Sequence, residues 1–110
     1  MHSDPIFEFM AQKGISDKLK KKVKGKICFK VLKGSEHKLW LIDSDNKKVI
    51  PDTSKDADTI FNIQDDDMVC FSKGQTNLRT LFMRKKLAIE GDYSNAIRFT
   101  SDLLPKMPLL

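Results

Sequence analysis

Side chains that could act as nucleophiles, bases or metal ligands are few and scattered in this 110-residue sequence. The two histidines are His2, near the start, and His37, beside Glu36 in a predicted turn. The two cysteines, Cys28 and Cys70, lie in apolar runs, far apart and without the short spacing of a zinc site. Catalysis requires such groups to be brought together, so we predict two buried, reduced thiols, no metal or other cofactor, and no enzymatic activity.

Two clusters of aspartates could be mistaken for metal sites. Asp43-Ser44-Asp45 resembles the start of a calcium loop, but Lys48 stands where that loop needs glycine and Ser54 where it needs glutamate. Asp65-Asp66-Asp67 directly precedes an apolar helical segment. Acidic groups in a first helical turn are stabilised by the helix dipole, by about 0.3–1 kcal/mol each. We therefore interpret the second cluster as a helix start rather than a cation site.

The charge of the chain is concentrated in one lysine-rich segment. The net charge is +5, and residues 18–26 hold six lysines but no arginine and no aromatic residue. Because nucleic-acid binders usually combine such a patch with both, we predict no nucleic-acid partner. Lysine-rich faces suit anionic membrane surfaces or other phosphate-bearing partners. A solvated face without a partner is the alternative. The residues assigned to this attraction are Lys18, Lys20, Lys21, Lys22 and Lys24.

The elements that would position any site can be read from the apolar periodicity and the turn residues. A helix is predicted from Pro5 to Gly14, and Ser16-Asp17 begins a second one. Alternation then predicts strands around Ile27–Leu32, Leu39–Ile42, Lys48–Ile50, Asp58–Gln64 and Leu87–Ile89. Two helices, Met68–Lys73 and Leu78–Arg84, separate the last two strands. A closing helix places Ala96, Phe99 and Leu103 on one face and ends at Pro105.

These elements predict an α/β (α+β) domain in which about five helices cover one face of a five-stranded mixed sheet. A chain of this length has room for one core, so we expect a single domain over residues 1–110. No apolar run approaches the roughly 18 residues of a membrane span. The start of the sequence carries acidic residues where a secretory signal would be basic and apolar. We therefore expect an intracellular protein in the cytoplasm, with the peroxisome as an alternative. We also expect a monomer.

The order and spacing of several residues resemble the sterol carrier protein 2 family over nearly the whole chain. The landmarks are Phe29-Lys30-Val31, Trp40 with Asp43, Pro51, Ala57-Asp58, Asp65 with Asp67, Gly74, Asn77, Phe82, Lys86-Leu87, Ile89 and Gly91. The resemblance implies a non-enzymatic carrier that holds lipid in an apolar tunnel between sheet and helices. Two departures concern the turn into the fifth strand, where the family's glycine is Lys85, and the C-terminus, which lacks the peroxisomal Ser-Lys-Leu-type address.

The resemblance implies that the ligand is a long-chain fatty acid or fatty acyl-CoA, with sterols and phospholipids next. The apolar side chains of the later helices and of the covered sheet face are expected to line the lipid site. Each of them could equally be an ordinary core residue. An alternative function is a protein-interaction or substrate-presenting module of a lipid-metabolism enzyme, built on the same fold with a filled core. The residues predicted to line the lipid site are Phe61, Met68, Phe71, Leu78, Leu81, Phe82, Met83, Ile97, Phe99 and Leu103.

Overall fold

The structure is a computed structural model that describes residues 1–23 and 25–104, except for the side chain of Ile97. In this part of the chain, five α-helices and one short 3₁₀ helix accompany a five-stranded sheet. The helices are α1 Asp4–Lys13, α2 Asp17–Lys22, α3 Asp65–Ser72, α4 Leu78–Met83 and α5 Ser94–Arg98, followed by the 3₁₀ helix Ser101–Leu103. The strands are β1 Lys26–Lys33, β2 Glu36–Asp43, β3 Lys48–Pro51, β4 Thr59–Gln64 and β5 Leu87–Gly91.

The sheet is mixed, with the strand order β3-β2-β1-β4-β5, and this confirms the predicted fold class. Strands β1, β2 and β3 pair antiparallel through short turns. Strand β4 returns on the other side of β1 and runs parallel to it, and β5 pairs antiparallel with β4. The connection from β3 to β4 therefore passes over two strands. It crosses the back of the sheet, where the carbonyl oxygen of Thr53 lies 3.8 Å from the Cys28 sulfur.

The two faces of the sheet differ because side chains alternate along each strand. The register places Phe29 opposite both Trp40 and Phe61, so these three rings lie on one face, and all three are buried. The helices cover this face, and Phe7 of α1 stacks on Trp40 at a centroid distance of 5.0 Å. The opposite face carries Cys28 and polar groups such as Asn62. The apolar core therefore lies between the sheet and the helices.

Helix starts depend on groups that satisfy the first free amides. The side chains of Ser16 and Asn77 accept hydrogen bonds from the amides of Leu19 and Thr80, as expected for the starts of α2 and α4. Helix α1 is different, because Ser3 makes no side-chain cap. The carboxylate of Asp65 instead accepts hydrogen bonds from the amides of His2 and Ser3, each at 2.9 Å. The first residue of α3 thus anchors the start of α1.

The prediction of one continuous closing helix is wrong. Helix α5 ends at Arg98, Phe99 adopts an extended conformation with ψ 104°, and the 3₁₀ helix begins at Ser101. The break turns Phe99 inward, and its ring lies 5.3 Å from that of Phe29. Burial of this ring therefore outweighs the helical hydrogen bonds lost at the break. Pro105, the predicted end of the helix, lies outside the described residues.

Candidate functional site

Seven of the ten side chains predicted to line a lipid site are buried in the layer between the sheet and the helices. Met68 and Phe71 come from α3, Leu78 and Leu81 from α4, and Phe61 from β4. The other two, Phe99 and Leu103, follow α5. These residues share one apolar core with side chains of α1 and of the sheet. The structure thus brings most of the predicted set together.

Aromatic rings fill much of this layer. Phe29, at the centre of the sheet, has ring centroids of Phe7, Phe61 and Phe99 at 5.6, 5.2 and 5.3 Å. Phe71 extends the group, at 5.9 Å from Phe99. Contacts at these distances are ordinary aromatic packing. A lipid that enters the layer must therefore displace side chains that already contact each other.

Two of the predicted lining residues are not buried. The side chain of Phe82 is 43% exposed and that of Met83 is 73% exposed, so neither lies in the buried apolar layer of this structure, and their contact with lipid stays a prediction. Helix α4 buries Leu78 and Leu81 instead, which leaves Phe82 and Met83 on the outer face of its last turn. The side chain of Ile97 lies outside the described residues, although its backbone belongs to α5.

A groove of about 170 Å³ lies where the loop between α1 and α2 meets the segment after α5. Its polar edge consists of Ser16, Lys18 and Asp102, beside the backbone at Gly14. The apolar part of its lining comes from Met10, Ile15, Leu19, Leu103 and Leu104. Met10, Leu19 and Leu103 also belong to the core, so the groove adjoins the buried apolar layer.

An ion pair joins the two sides of this groove. The ammonium group of Lys18 on α2 donates a hydrogen bond to the carboxylate of Asp102 in the 3₁₀ helix. This bond, and one from the Thr100 hydroxyl, lower the pKa of Asp102 to about 2. Both side chains are half exposed, at 56% and 51%. Both groups are therefore accessible to a competing anion. Such an anion could replace Asp102 at little cost, because solvent-exposed ion pairs contribute little net stability.

One of the five lysines predicted to attract anionic groups already contacts a carboxylate of the protein. Lys18, Lys20, Lys21 and Lys22 are all exposed on α2, whereas Lys24 lies outside the described residues. Lys18 is paired with Asp102, and Asp17 at the start of the same helix pairs with Lys47. That hydrogen bond from Lys47 also lowers the pKa of Asp17.

The two cysteines lie in different environments. Burial raises the pKa of the Cys28 thiol to about 11, which opposes the formation of a thiolate nucleophile. Cys70, expected to be buried, is only half-buried. Within the described ranges, no group of three His, Cys, Asp or Glu side chains is arranged to hold a metal ion. What the groove offers is an apolar surface with one cation at its edge.

Sequence reasoning missed the groove residues of the first two helices. Met10 and Leu19 belong to the ordinary apolar faces of α1 and α2, and neither apolar pattern indicates a cavity. Ile15 carried a weak signal, since it is a large apolar residue in the break between Gly14 and the cap Ser16. Its partners come from the other end of the chain, and only the tertiary fold brings the two segments together.

Comparison with known proteins agrees with this architecture. The profile described as the SCP-2 sterol transfer family matches residues 7–103. The Non-specific lipid-transfer protein-like 1 of Caenorhabditis elegans is 30% identical over 109 residues, covering 96% of this chain and 92% of that protein. Sterol carrier protein 2 of Rattus norvegicus is 34% identical over 85 residues, 74% of this chain but only 16% of the rat protein.

Solved structures share the fold at lower identity. The crystal structure of Sterol Carrier Protein 2 Like 2 from Aedes aegypti superimposes with a TM-score of 0.73 at 21% identity, covering 88% of this chain and 92% of that one. The solution structure of Sterol Carrier Protein-2 from the same organism, in complex with the C16 fatty acid palmitate, has a TM-score of 0.66 at 19% identity and covers 88% of this chain and 89% of that one.

Proposed function

Because the chain belongs to the SCP-2 sterol transfer family, we propose that it is a single-domain, non-enzymatic carrier of long-chain fatty acids or fatty acyl-CoAs. The relative from Caenorhabditis elegans is named as a lipid-transfer protein, and one structural neighbour holds palmitate. The observation in this molecule that carries the proposal is the groove with an apolar lining, a cation at its edge and direct continuity with the core.

The groove is an entrance rather than a complete binding site. Its volume of about 170 Å³ is close to the roughly 150 Å³ of a cavity that holds one benzene ring. A long acyl chain is much larger and has to continue into the aromatic layer. We propose that Phe99 and Leu103 move aside, because they follow the break after α5 and are held by packing rather than by a regular helix.

The ammonium group of Lys18 is the proposed partner of the lipid's acidic head. A fatty-acid carboxylate has the same chemistry as the Asp102 carboxylate that Lys18 contacts in this structure. Replacement of one carboxylate by the other opens the polar edge of the groove while the charge of Lys18 stays neutralised. The phosphates of an acyl-CoA would be attracted by the neighbouring exposed lysines of α2.

Burial of the acyl chain supplies the binding energy without any covalent step. Each buried methylene contributes about 0.8 kcal/mol relative to water, and a bilayer offers nearly the same environment. The difference between the membrane-bound and the protein-bound lipid is therefore small. Such a balance allows the carrier to load and unload without an energy source, which is the basis for the proposed transfer role.

The proposal is tested by titrating lipid-free protein with a fluorescent fatty acid and then displacing the probe with oleate, palmitoyl-CoA or cholesterol. We expect saturable binding, with the two acyl ligands competing better than cholesterol. Ile15→Trp should weaken binding, since the larger ring would fill the groove that Ile15 lines. Ile50→Trp is the matched control, because Ile50 is 38% exposed on the edge strand β3. Equal affinities for the two variants would contradict the proposed entrance.

Head-group recognition is tested separately with Lys18→Gln. Loss of one exposed ionic contact is expected to weaken palmitate binding by up to about fivefold and to leave its methyl ester unaffected. Lys20→Gln is the control, because Lys20 is exposed on the same helix and does not line the groove. A similar loss of affinity for the methyl ester would show that Lys18 does not contact the carboxylate.

A second candidate function follows from the filled aromatic layer. Contacts among Phe29, Phe61, Phe71 and Phe99 leave this layer packed as in an ordinary core, which suits a protein-interaction or substrate-presenting module. The matched segment is also a small part of the rat protein. Absence of saturable acyl binding in the titration would favour this function.

For both candidate functions we propose that the protein is a cytoplasmic monomer. None of the helices in the described ranges is long and apolar enough to cross a bilayer.

A further inference from the structure

The outer side of α4 and the start of α5 form an exposed apolar surface. Phe82 and Met83 are 43% and 73% exposed, and Tyr93, which precedes α5, is 57% exposed. The rings of Phe82 and Tyr93 meet edge to face at a centroid distance of 5.9 Å. We refer to Phe82, Met83 and Tyr93 together as the α4 surface. Large apolar side chains grouped on an exposed surface commonly indicate an interaction site.

Cations surround the α4 surface. Arg79 lies one turn before Phe82 and Met83 on the exposed side of α4, and Arg84 is the first residue after the helix. Arg98 ends α5. These are all three arginines of the sequence, and all are exposed. Two further exposed cations, Lys85 and Lys86, lead into β5.

One acidic group, Asp92, adjoins this surface and is held by local hydrogen bonds. Asp92 adjoins Tyr93, and its carboxylate accepts hydrogen bonds from the amide and hydroxyl of Ser94, at 2.9 and 2.7 Å. Those bonds, and the charge of Arg98, lower the pKa of Asp92. Asp92 therefore stays ionised and removes one positive charge, but the five exposed cations at 79, 84, 85, 86 and 98 outnumber it, so the net charge around the apolar side chains is positive.

Lys85, at the end of the turn after α4, has a strained backbone. Its φ of 60° is in the left-handed region, where a residue other than glycine is disfavoured by about 1–2 kcal/mol. Glycine would remove this strain but would also remove a cation from the edge of the α4 surface. Lys47, Asp52 and Asp56 also have positive φ, so the conformation itself does not mark a functional site; the relevant feature of Lys85 is its charge.

We propose that the α4 surface docks on an anionic lipid bilayer, with Met83 and Phe82 entering the interface and the flanking arginines contacting lipid phosphates. Aromatic and apolar side chains rimmed by basic ones match the chemistry of the headgroup region. A bilayer is favoured over an acidic protein, because three exposed apolar side chains can enter the headgroup region without a complementary pocket in the partner. This docking surface is distinct from the groove at α2, and the proposal would extend the proposed function by giving the carrier a defined approach to membranes.

The first test is sedimentation of the full chain with vesicles of phosphatidylcholine alone and of phosphatidylcholine with phosphatidylserine. We expect binding only to the anionic vesicles, weakening as salt is added. The double substitution Arg79→Gln, Arg84→Gln should reduce that binding by about fivefold per side chain. The matched control is Lys33→Gln with Lys55→Gln, which removes the same charge at exposed positions elsewhere. Equal losses of vesicle binding for the two pairs would show that only the net charge of the protein matters, and this would overturn the proposal.

Two comparisons separate this surface from the lysines of α2 and from the lipid site. Lys20→Gln with Lys21→Gln should weaken vesicle binding less than the arginine pair. The reverse order would assign docking to α2 and contradict the proposal. The arginine-pair variant should also retain wild-type affinity for a fluorescent fatty acid in vesicle-free solution. A loss there would indicate damage to the lipid site rather than to docking.

Insertion is measured with Met83→Trp, which places an indole at the most exposed apolar position of the surface. The natural Trp40 is 4% exposed, so its emission provides a constant background. Anionic vesicles should shift the emission of the new indole to shorter wavelength, and lipids brominated on their acyl chains should quench it. Ile50→Trp should show neither effect. A shift at Ile50→Trp but not at Met83→Trp, or no shift at either position, would overturn the proposal.

Discussion

At the residue scale, Asp65 holds the N-terminal segment to the rest of the molecule. Its buried carboxylate accepts the amides of His2 and Ser3, and α1 in turn places Phe7 on Trp40. Asp65→Ala should therefore lower the free energy of unfolding by about 2 kcal/mol, in the range of hydrogen bonds to a charged group. Urea titration measures this change. Asp66→Ala, at an exposed neighbour in the same helical turn, should cause little loss, and equal losses would contradict the anchoring role.

The same carboxylate predicts a dependence of stability on pH. Burial by itself would raise the pKa of Asp65, but the hydrogen bonds from Ser3 and His2 outweigh it, and the net result is a lowered pKa. A lowered folded-state pKa means that the stabilisation is complete above the unfolded value of about 3.9 and is lost as pH falls through the folded value. Thermal melts of wild type and Asp65→Ala should therefore converge in acid. A constant difference between their melting temperatures would contradict this assignment.

The Cys28 thiol should be unreactive in the folded protein. Its pKa of about 11 leaves almost no thiolate near neutral pH, and the side chain is fully buried under the β3–β4 connection. In a Cys70→Ser variant, maleimide labelling of Cys28 should be slow in buffer and rapid in denaturant. The folded-state rate should rise as pH approaches the pKa. Rapid labelling at neutral pH without denaturant would show that the connection does not cover Cys28.

At the scale of elements, most helix starts were predictable because their signals are local. Ser16 caps α2 where a helix was predicted to begin, and the acidic residues 65–67 open α3 as predicted. The exposure of Phe82 and Met83 was not predictable, because apolar type alone does not determine which side of a two-turn helix is buried. The break at Phe99 was also unpredictable from periodicity, since it arises from packing against Phe29, a residue of the distant strand β1.

The turn between α4 and β5 provides a test at the same scale. Lys85→Gly should relieve the left-handed strain. Glycine is also more flexible in the unfolded chain, which offsets part of this gain, so the free energy of unfolding should rise by up to about 1 kcal/mol. Denaturant unfolding measures this gain. Lys86→Gly is the control and should be destabilising, because the strain at φ 60° belongs to Lys85. A loss of stability in Lys85→Gly would mean that its side chain makes a contact that outweighs the strain.

At the scale of the whole molecule, the filled layer predicts how lipid and stability are linked. If the acyl chain replaces Phe99 and its neighbours, a smaller side chain at this position should favour the lipid-bound form. Phe99→Leu is expected to cost roughly 1–2 kcal/mol without ligand, less than the roughly 3–5 kcal/mol typical of Phe→Ala. Palmitate should then raise the melting temperature of the variant more than that of wild type. Equal shifts would indicate that lipid does not enter beside Phe99.

The topology of the sheet has a consequence for the order of folding. Strands β1, β2 and β3 are joined by short turns, so their pairing involves contacts that are close in sequence. The parallel contact between β1 and β4 instead closes a long loop, and loop closure of this kind slows folding. We therefore expect the first three strands to assemble as a nucleus, with β4 and the later helices docking afterwards. During synthesis, the nascent sheet would expose Phe29 and Trp40 until Phe61 arrives, and this interval is when the chain is most exposed to misfolding.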